Sequence, residues 1–389
     1  MLYLDHAATS PVRPEALESM RPFLTGVFGN PSSHHTVGEA AASALEDARA
    51  RVARVLGMRK GDVIFTAGGT EANNLAVKGV MLASDRRHLV VSPIEHESIL
   101  ESAAYLERFH SITVSRVPVD AGGRITPEAL AAVLRDDTAL VSLGHANNEI
   151  GTVQDVAALA SVAHAADAVL HVDAVQTAGW LPLTGLDADA ISVAGHKLGA
   201  PKGIGALAVR GRIPLEPLLH GGGQERGRRS GTENVAGAVA LATALELADV
   251  ESDAVAKAVG ERTRAFIGGV LASVPAAALT GDAVDRLPGT ASFTFTGVSG
   301  EAVLLELERR GVVSSSGSAC AAGSDEPSHV LIACGIAPEV AQSSVRFTFD
   351  RRALPAEAPA QLAALVADAV RAVSGHDSSS TRTTHAPPP

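Results

Sequence analysis

From about residue 60 to 210, short β-branched runs alternate with Ala- and Leu-rich stretches of helical period. This alternation restricts the chain to an α/β fold, a mainly parallel sheet covered by helices. Strands are predicted at 63–66, 89–92, 139–143, 169–172, 190–193 and 204–209, with helices over 70–83 and 126–134. Polar residues follow directly after several of these runs. In open α/β sheets the carboxyl ends of the strands border the ligand crevice, so that placement is where chemistry is expected.

After about residue 255 the pattern changes to a helix, a strand near 291–296, a helix over 301–310, and a Ser/Gly/Ala-rich loop over 314–324. A smaller α+β domain is expected there. The division predicted is a large domain over 15–255, a small one formed by 1–14 and 256–374, and a disordered tail over 375–389. The tail is too poor in apolar residues to offset its ordering entropy. No internal repeat is present.

With 389 residues, 46% of them hydrophobic, the chain can bury cores of this size. Its formal net charge of −11, with no Lys/Arg block, argues against direct nucleic-acid or anionic-membrane binding. The start, Met1 to His6, meets Asp5 and His6 at once and lacks the basic, then apolar, order of an export signal. No run approaches the ~20 apolar residues of a membrane span. Cys320 and Cys334 are no disulfide framework, which points to a reducing cytoplasm and an available thiol. No metal site is expected.

Several elements suit one kind of site. Gly68-Gly69-Thr70-Glu71 follows a strand and opens a helix, the geometry that binds a phosphate through free backbone N–H groups and a hydroxyl. Lys197 stands at the end of the strand run 190–193, where an amine can form a Schiff base. Asp173 ends another apolar run and can pair with a pyridinium nitrogen. His96 can stack on a ring and shuttle protons. Asn148 can hydrogen-bond a ring hydroxyl or a substrate carboxylate. Cys320 lies among small residues that leave a thiol accessible, whereas Cys334, within Val330-Leu331-Ile332-Ala333-Cys334-Gly335, reads as core packing. Taken singly, each also suits a structural role: a turn with its N-cap, a surface lysine, a helix cap, a satisfied polar group, a bystander cysteine.

Longer motifs decide among these readings. They are Tyr3-Leu4-Asp5-His6-Ala7-Ala8-Thr9, Gly29-Asn30-Pro31-Ser32-Ser33, residues 65–75, Asn147-Asn148-Glu149-Ile150-Gly151 and Gly195-His196-Lys197. Residues 220–232, Ser315-Ser316-Gly317-Ser318-Ala319-Cys320 and Ser344-Val345-Arg346-Phe347 complete the set. In these the chain resembles the cysteine desulfurases of the NifS/IscS type, within the class V aminotransferase group.

The resemblance implies pyridoxal 5'-phosphate and the fold type I, aspartate-aminotransferase-like architecture, with a seven-stranded-type sheet. It also implies that Lys197 carries the cofactor as a Schiff base, Asp173 pairs with its ring nitrogen, His96 stacks on the ring and Gln176 bonds the ring hydroxyl. Gly69, Thr70 and His196 would hold the phosphate, and Thr232 would reach the phosphate of the other subunit of a homodimer. Arg346 and Asn148 would hold the substrate carboxylate. Cys320 would take the sulfur of L-cysteine as a persulfide, for delivery to sulfur-acceptor proteins. One departure stands out: Ala194 replaces the serine that family members commonly carry three positions before the lysine, a loss of about 1 kcal/mol of cofactor binding. Selenocysteine lyase, another class V aminotransferase and a non-catalytic scaffold are the alternatives.

Overall fold

The computed structural model describes residues 1–317 and 326–380. The strands in chain order are β1 (Leu2–Tyr3), β2 (Val63–Thr66), β3 (His88–Val91), β4 (Thr113–Arg116), β5 (Thr138–Gly144), β6 (Val169–Asp173), β7 (Ala190–Ala194), β8 (Gly205–Val209), β9 (Ala277–Leu279), β10 (Thr290–Phe295), β11 (Val312–Val313) and β12 (Val345–Thr348). The helices are α1 (Pro14–Thr25), α2 (Thr36–Val55), α3 (Gly69–Leu82), α4 (Glu97–His110), α5 (Pro127–Val133), α6 (Val156–Ala165), α7 (Gly195–Leu198), α8 (Val235–Ser273), α9 (Gly300–Arg309), α10 (His329–Ala333), α11 (Pro338–Ala341) and α12 (Ala358–Ser380). Among the described residues no helix is long and apolar enough to cross a membrane.

The chain forms two compact units. The larger comprises Ala7–Asn148 and Thr152–Ala254. Its seven-stranded sheet has the order β2-β8-β7-β6-β5-β3-β4; β8 runs antiparallel to both neighbours and all other pairs are parallel. Strands covered by helices on both faces need apolar side chains on both. Accordingly β2, β3, β7 and β8 are buried at every residue. The register sets Gly144 beside Asp173 and Asp173 beside Ser192, which aligns the carboxyl ends of β5, β6 and β7.

The edge strand β4 lies outside the sequence prediction. Its sequence, Thr113-Val114-Ser115-Arg116, is half exposed and polar, so no apolar run marks it; pairing with β3 alone makes it a strand. Asp173, expected just after a strand, is the last residue of β6.

A buried ion pair ties the end of the sheet to the loop 220–234. Arg49 of α2 bonds both carboxylate oxygens of Glu225, at 2.5 and 3.0 Å, and the Phe65 N–H donates to the same carboxylate. Glu225 and Arg226 both sit at positive φ, +49° and +58°, a strained backbone that this anchor holds in place. Glu225→Ala leaves the buried Arg49 guanidinium paired only through Nε to Glu46, at 2.8 Å, and is expected to cost up to about 3–5 kcal/mol, read as a lower urea midpoint at unchanged slope.

The smaller unit comprises Met1–His6, Glu149–Gly151 and the chain from Val255. It holds the antiparallel sheet β12-β10-β9 and the parallel pair β1-β11. Phe266 of α8 meets Phe293, Phe347 and Phe349 edge-on, at centroid distances of 5.9, 5.2 and 5.6 Å. The tripeptide belongs here because Arg286 donates to the Ile150 carbonyl at 3.1 Å and the Leu287 N–H to that of Gly151 at 2.8 Å.

At the N-terminus the change of unit falls between His6 and Ala7 rather than at residue 14. Leu4 accepts a bond from Thr348, while Ala7 onwards bonds to α7. At the other end α12 runs to Ser380, past the start expected for the tail at 375, since each added residue extends an existing helix by one bond. The rest of that tail, 381–389, lies outside the described residues.

Candidate active site

The larger unit gathers its chemically capable side chains at the carboxyl ends of the strands. After β2 the chain turns through Gly68 into α3, and among the described residues the N-cap makes no side-chain capping bond. That turn offers backbone N–H groups and the positive end of the helix dipole, with Thr70 exposed beside them. Gly69 is required here by packing. A Cβ at this position would come 2.8 Å from Val175 Cγ2 and 3.2 Å from Ala194 Cβ, so a side chain would push α3 off the strand ends.

Asp173 is 8% exposed. Its Oδ1 accepts from the Val175 N–H at 2.9 Å and its Oδ2 from Asn73 Nδ2 at 2.7 Å. Each oxygen retains a second lone pair for a further donor. Glu95 is buried close by, where burial first and the Asp173 charge second push its carboxyl well above the usual range.

Lys197 lies on α7, directly after β7. Its Nζ donates to the carbonyl oxygens of Ala7 and, at 2.9 Å, Ala8. Gln176 Nε2 donates to the same Ala7 oxygen at 3.2 Å. His196 Nδ1 is 3.2 Å from Thr9 Oγ1, and the Ser10 N–H donates to the His196 carbonyl at 2.9 Å. Burial, then the charges of Lys197 and Lys202, push the His196 imidazole down to about 4, so it is neutral at physiological pH.

His96 caps α4, with its Nδ1 turned back to Ser98. Asn147, the neighbour of Asn148, donates from Nδ2 to the Ile94 carbonyl at 2.7 Å and so pins the segment that leads into His96. Asn148 itself is half-buried. Thr232 is exposed on the loop 220–234, which a second ion pair, Arg229 Nε to Glu71 Oε1 at 2.8 Å, fastens to the start of α3.

In the smaller unit Arg346 is 1% exposed, donating to Asp5 Oδ1 at 2.7 Å and to the Gly317 carbonyl at 3.2 Å. Its guanidinium already has a carboxylate partner, and a substrate carboxylate would have to share or displace it. Cys334 is buried. Cys320 lies outside the described residues.

Within the larger unit, then, Lys197, Gln176 and His196 meet along residues 7–10, and Asp173 meets Asn73. Sequence reasoning passed over Ala7 and Ala8, which act through backbone carbonyls that leave no residue-type signal. It also passed over Asn73, Ser98 and Glu95. A signal for Asn73 existed: it falls between Ala72 and Ala76 on the buried side of α3, where an amide demands a partner.

Residues 2–357 match the family described as aminotransferase class-V. The chain is 43% identical over 351 residues to a cysteine desulfurase IscS of Dictyoglomus turgidum, covering 89% of each. It is 44% identical over 379 residues to a cysteine desulfurase of Cereibacter sphaeroides, covering 96% of this chain and 97% of the other. Among solved structures it is similar to a NifS-like protein, with TM-score 0.86 and 33% identity, covering 97% of this chain and 99% of that one.

Proposed function

Because this chain belongs to the class V aminotransferases, among their cysteine desulfurases, we propose that it takes the sulfur of L-cysteine onto Cys320, releases L-alanine, and does so with pyridoxal 5'-phosphate held at Lys197. When bound, that cofactor supplies a protonated ring that draws electrons away from the substrate Cα. The residues fit it. The uncapped first turn of α3, with Gly69, Thr70 and the neutral His196, suits the phosphate. Asp173, with lone pairs to spare, would keep the ring nitrogen protonated, Gln176 would bond the ring hydroxyl, and His96 would stack on the ring face.

Arg346 and Asn148 hold the substrate carboxylate and so fix which bond faces the base. The Lys197 amine removes the Cα proton. The Cys320 thiolate then attacks the substrate sulfur; the S–S bond forms as the C–S bond breaks, and the bond pair stays with the carbon fragment, which leaves as alanine once protonated. The persulfide goes on to acceptor proteins, for iron–sulfur cluster assembly, tRNA thiolation or other sulfur-containing biosynthesis. A nucleophilic thiol of this kind persists in a reducing cytoplasm.

The observation that carries this reading is the buried Asp173 carboxylate, fixed by two donors at the end of β6. An exposed Thr232 on a doubly anchored loop favours a homodimer in which it serves the other subunit. The test is production of alanine and sulfide in equal amounts from L-cysteine with a thiol reductant, run beside sedimentation. Turnover of selenocysteine alone would make the chain a lyase of that substrate. A fully active monomer would remove Thr232 from the site.

A further inference from the structure

Four side chains of the larger unit form a continuous line of hydrogen bonds beneath the candidate site. Asn73 Nδ2 donates one hydrogen to Asp173 Oδ2 at 2.7 Å and the other to Ser98 Oγ at 2.9 Å. Ser98 Oγ lies 2.8 Å from His96 Nδ1, and the Ser98 backbone N–H reaches the same nitrogen at 3.0 Å. Asn73 and Ser98 are buried, at 2% and 6% exposure, so water does not replace these partners.

The proton positions along this line follow from donor chemistry. A backbone N–H can only donate, so Nδ1 must present its lone pair. The Ser98 hydroxyl, facing that same lone pair, must then donate to it as well. Its own lone pair is what receives the Asn73 hydrogen. The Asn73 amide cannot be turned round, because its oxygen would then face the Asp173 carboxylate at 2.7 Å. Every member has one consistent orientation, and donors that feed one another in series strengthen each bond.

We infer that Asn73 and Ser98 are positioning residues for the reaction: through them His96 is held as the neutral ring with its only proton on Nε2, and it serves as a hydrogen-bond donor from that atom. Placing a second proton on Nδ1 would turn away the Ser98 hydroxyl and strand the buried Ser98 N–H, which is costly. The shuttle role expected of His96 thereby narrows to donation, and Lys197 remains as the base. The same line joins the His96 ring to the carboxylate at the end of β6, so the two are oriented together. This deepens the desulfurase reading and rests on it for what Nε2 donates to.

The test is 15N NMR of the cofactor-loaded protein labelled at histidine, with the His96 signals assigned by their loss in His96→Gln. In the wild type Nδ1 should show the shift of an unprotonated acceptor and Nε2 that of an N–H. Ser98→Ala leaves only the backbone N–H on Nδ1 and Asn73→Ala frees the Ser98 hydroxyl to turn away, so each should weaken the hold on Nδ1 and let a minor Nδ1-protonated fraction appear beside the main tautomer, and Ser98→Thr should restore the single one. Alanine production by Ser98→Ala should fall about fivefold in kcat with little change in KM. A proton on Nδ1 in the wild type, or variants that leave the tautomer unmoved, would overturn the inference, and the wild-type spectrum decides even where a variant fails to fold. Absence of alanine from the wild type would instead sink the desulfurase reading, with the tautomer measured independently of it.

Discussion

Cys320→Ser is expected to stop release of sulfide and alanine, by roughly a thousandfold or more, while leaving the cofactor bound and its spectrum responsive to L-cysteine. The two steps separate because they use different groups. In the proposed reaction, holding the substrate would draw on Arg346, Asn148 and Lys197, whereas breaking its C–S bond requires a nucleophile at sulfur. A serine hydroxyl is far less ionised and less polarisable at neutral pH than a thiol. Cys334→Ser is the control: Cys334 is buried in the smaller unit, so its replacement should keep turnover and lower stability by about 1–3 kcal/mol. Mass spectrometry should find the added sulfur on the peptide of Cys320. Full turnover by Cys320→Ser, or persulfide on Cys334 alone, would overturn the assignment of the nucleophile and favour a lyase or aminotransferase.

Lys197→Ala is expected to abolish the covalent link between protein and cofactor and to lower alanine production by at least about a thousandfold. In the structure the Lys197 amine is directed by the carbonyls of Ala7 and Ala8, next to Gln176 and His196. Neighbouring Lys202 has no such placement and should not substitute. Reduction with borohydride followed by digestion should yield one modified peptide, that of Lys197, and none from the variant. A modified Lys202, or an active Lys197→Ala protein, would place the cofactor linkage elsewhere. Cofactor binding without covalent attachment should persist in the variant, because the first turn of α3 and the Asp173 carboxylate are untouched.

How much of this was legible beforehand differs from element to element. β2, β5, β6, β7 and β8 are buried along nearly their whole length, and a run rich in β-branched and aliphatic residues marks such strands to within a residue. The half-exposed β4 carries no such run and went unseen. Lys197, Asp173 and the Gly68-Gly69-Thr70 turn were legible because each ends or follows a strand, where the α/β fold itself places ligands.

By itself, then, the sequence determined the alternation that forces a mainly parallel sheet, the motifs of a desulfurase, and the residue types available for its chemistry. These are local properties, carried by periodicity and by neighbours in the chain. The tertiary structure alone decided which groups meet. Lys197 turns to the backbone of residues 7 and 8, 190 and 189 positions away, and Asn73 joins Ser98 and Asp173, 25 and 100 positions away. No sequence window spans such separations. The packing of α3 and α4 against the ends of the strands closes them, and a buried polar atom then takes whichever partner the fold brings within reach.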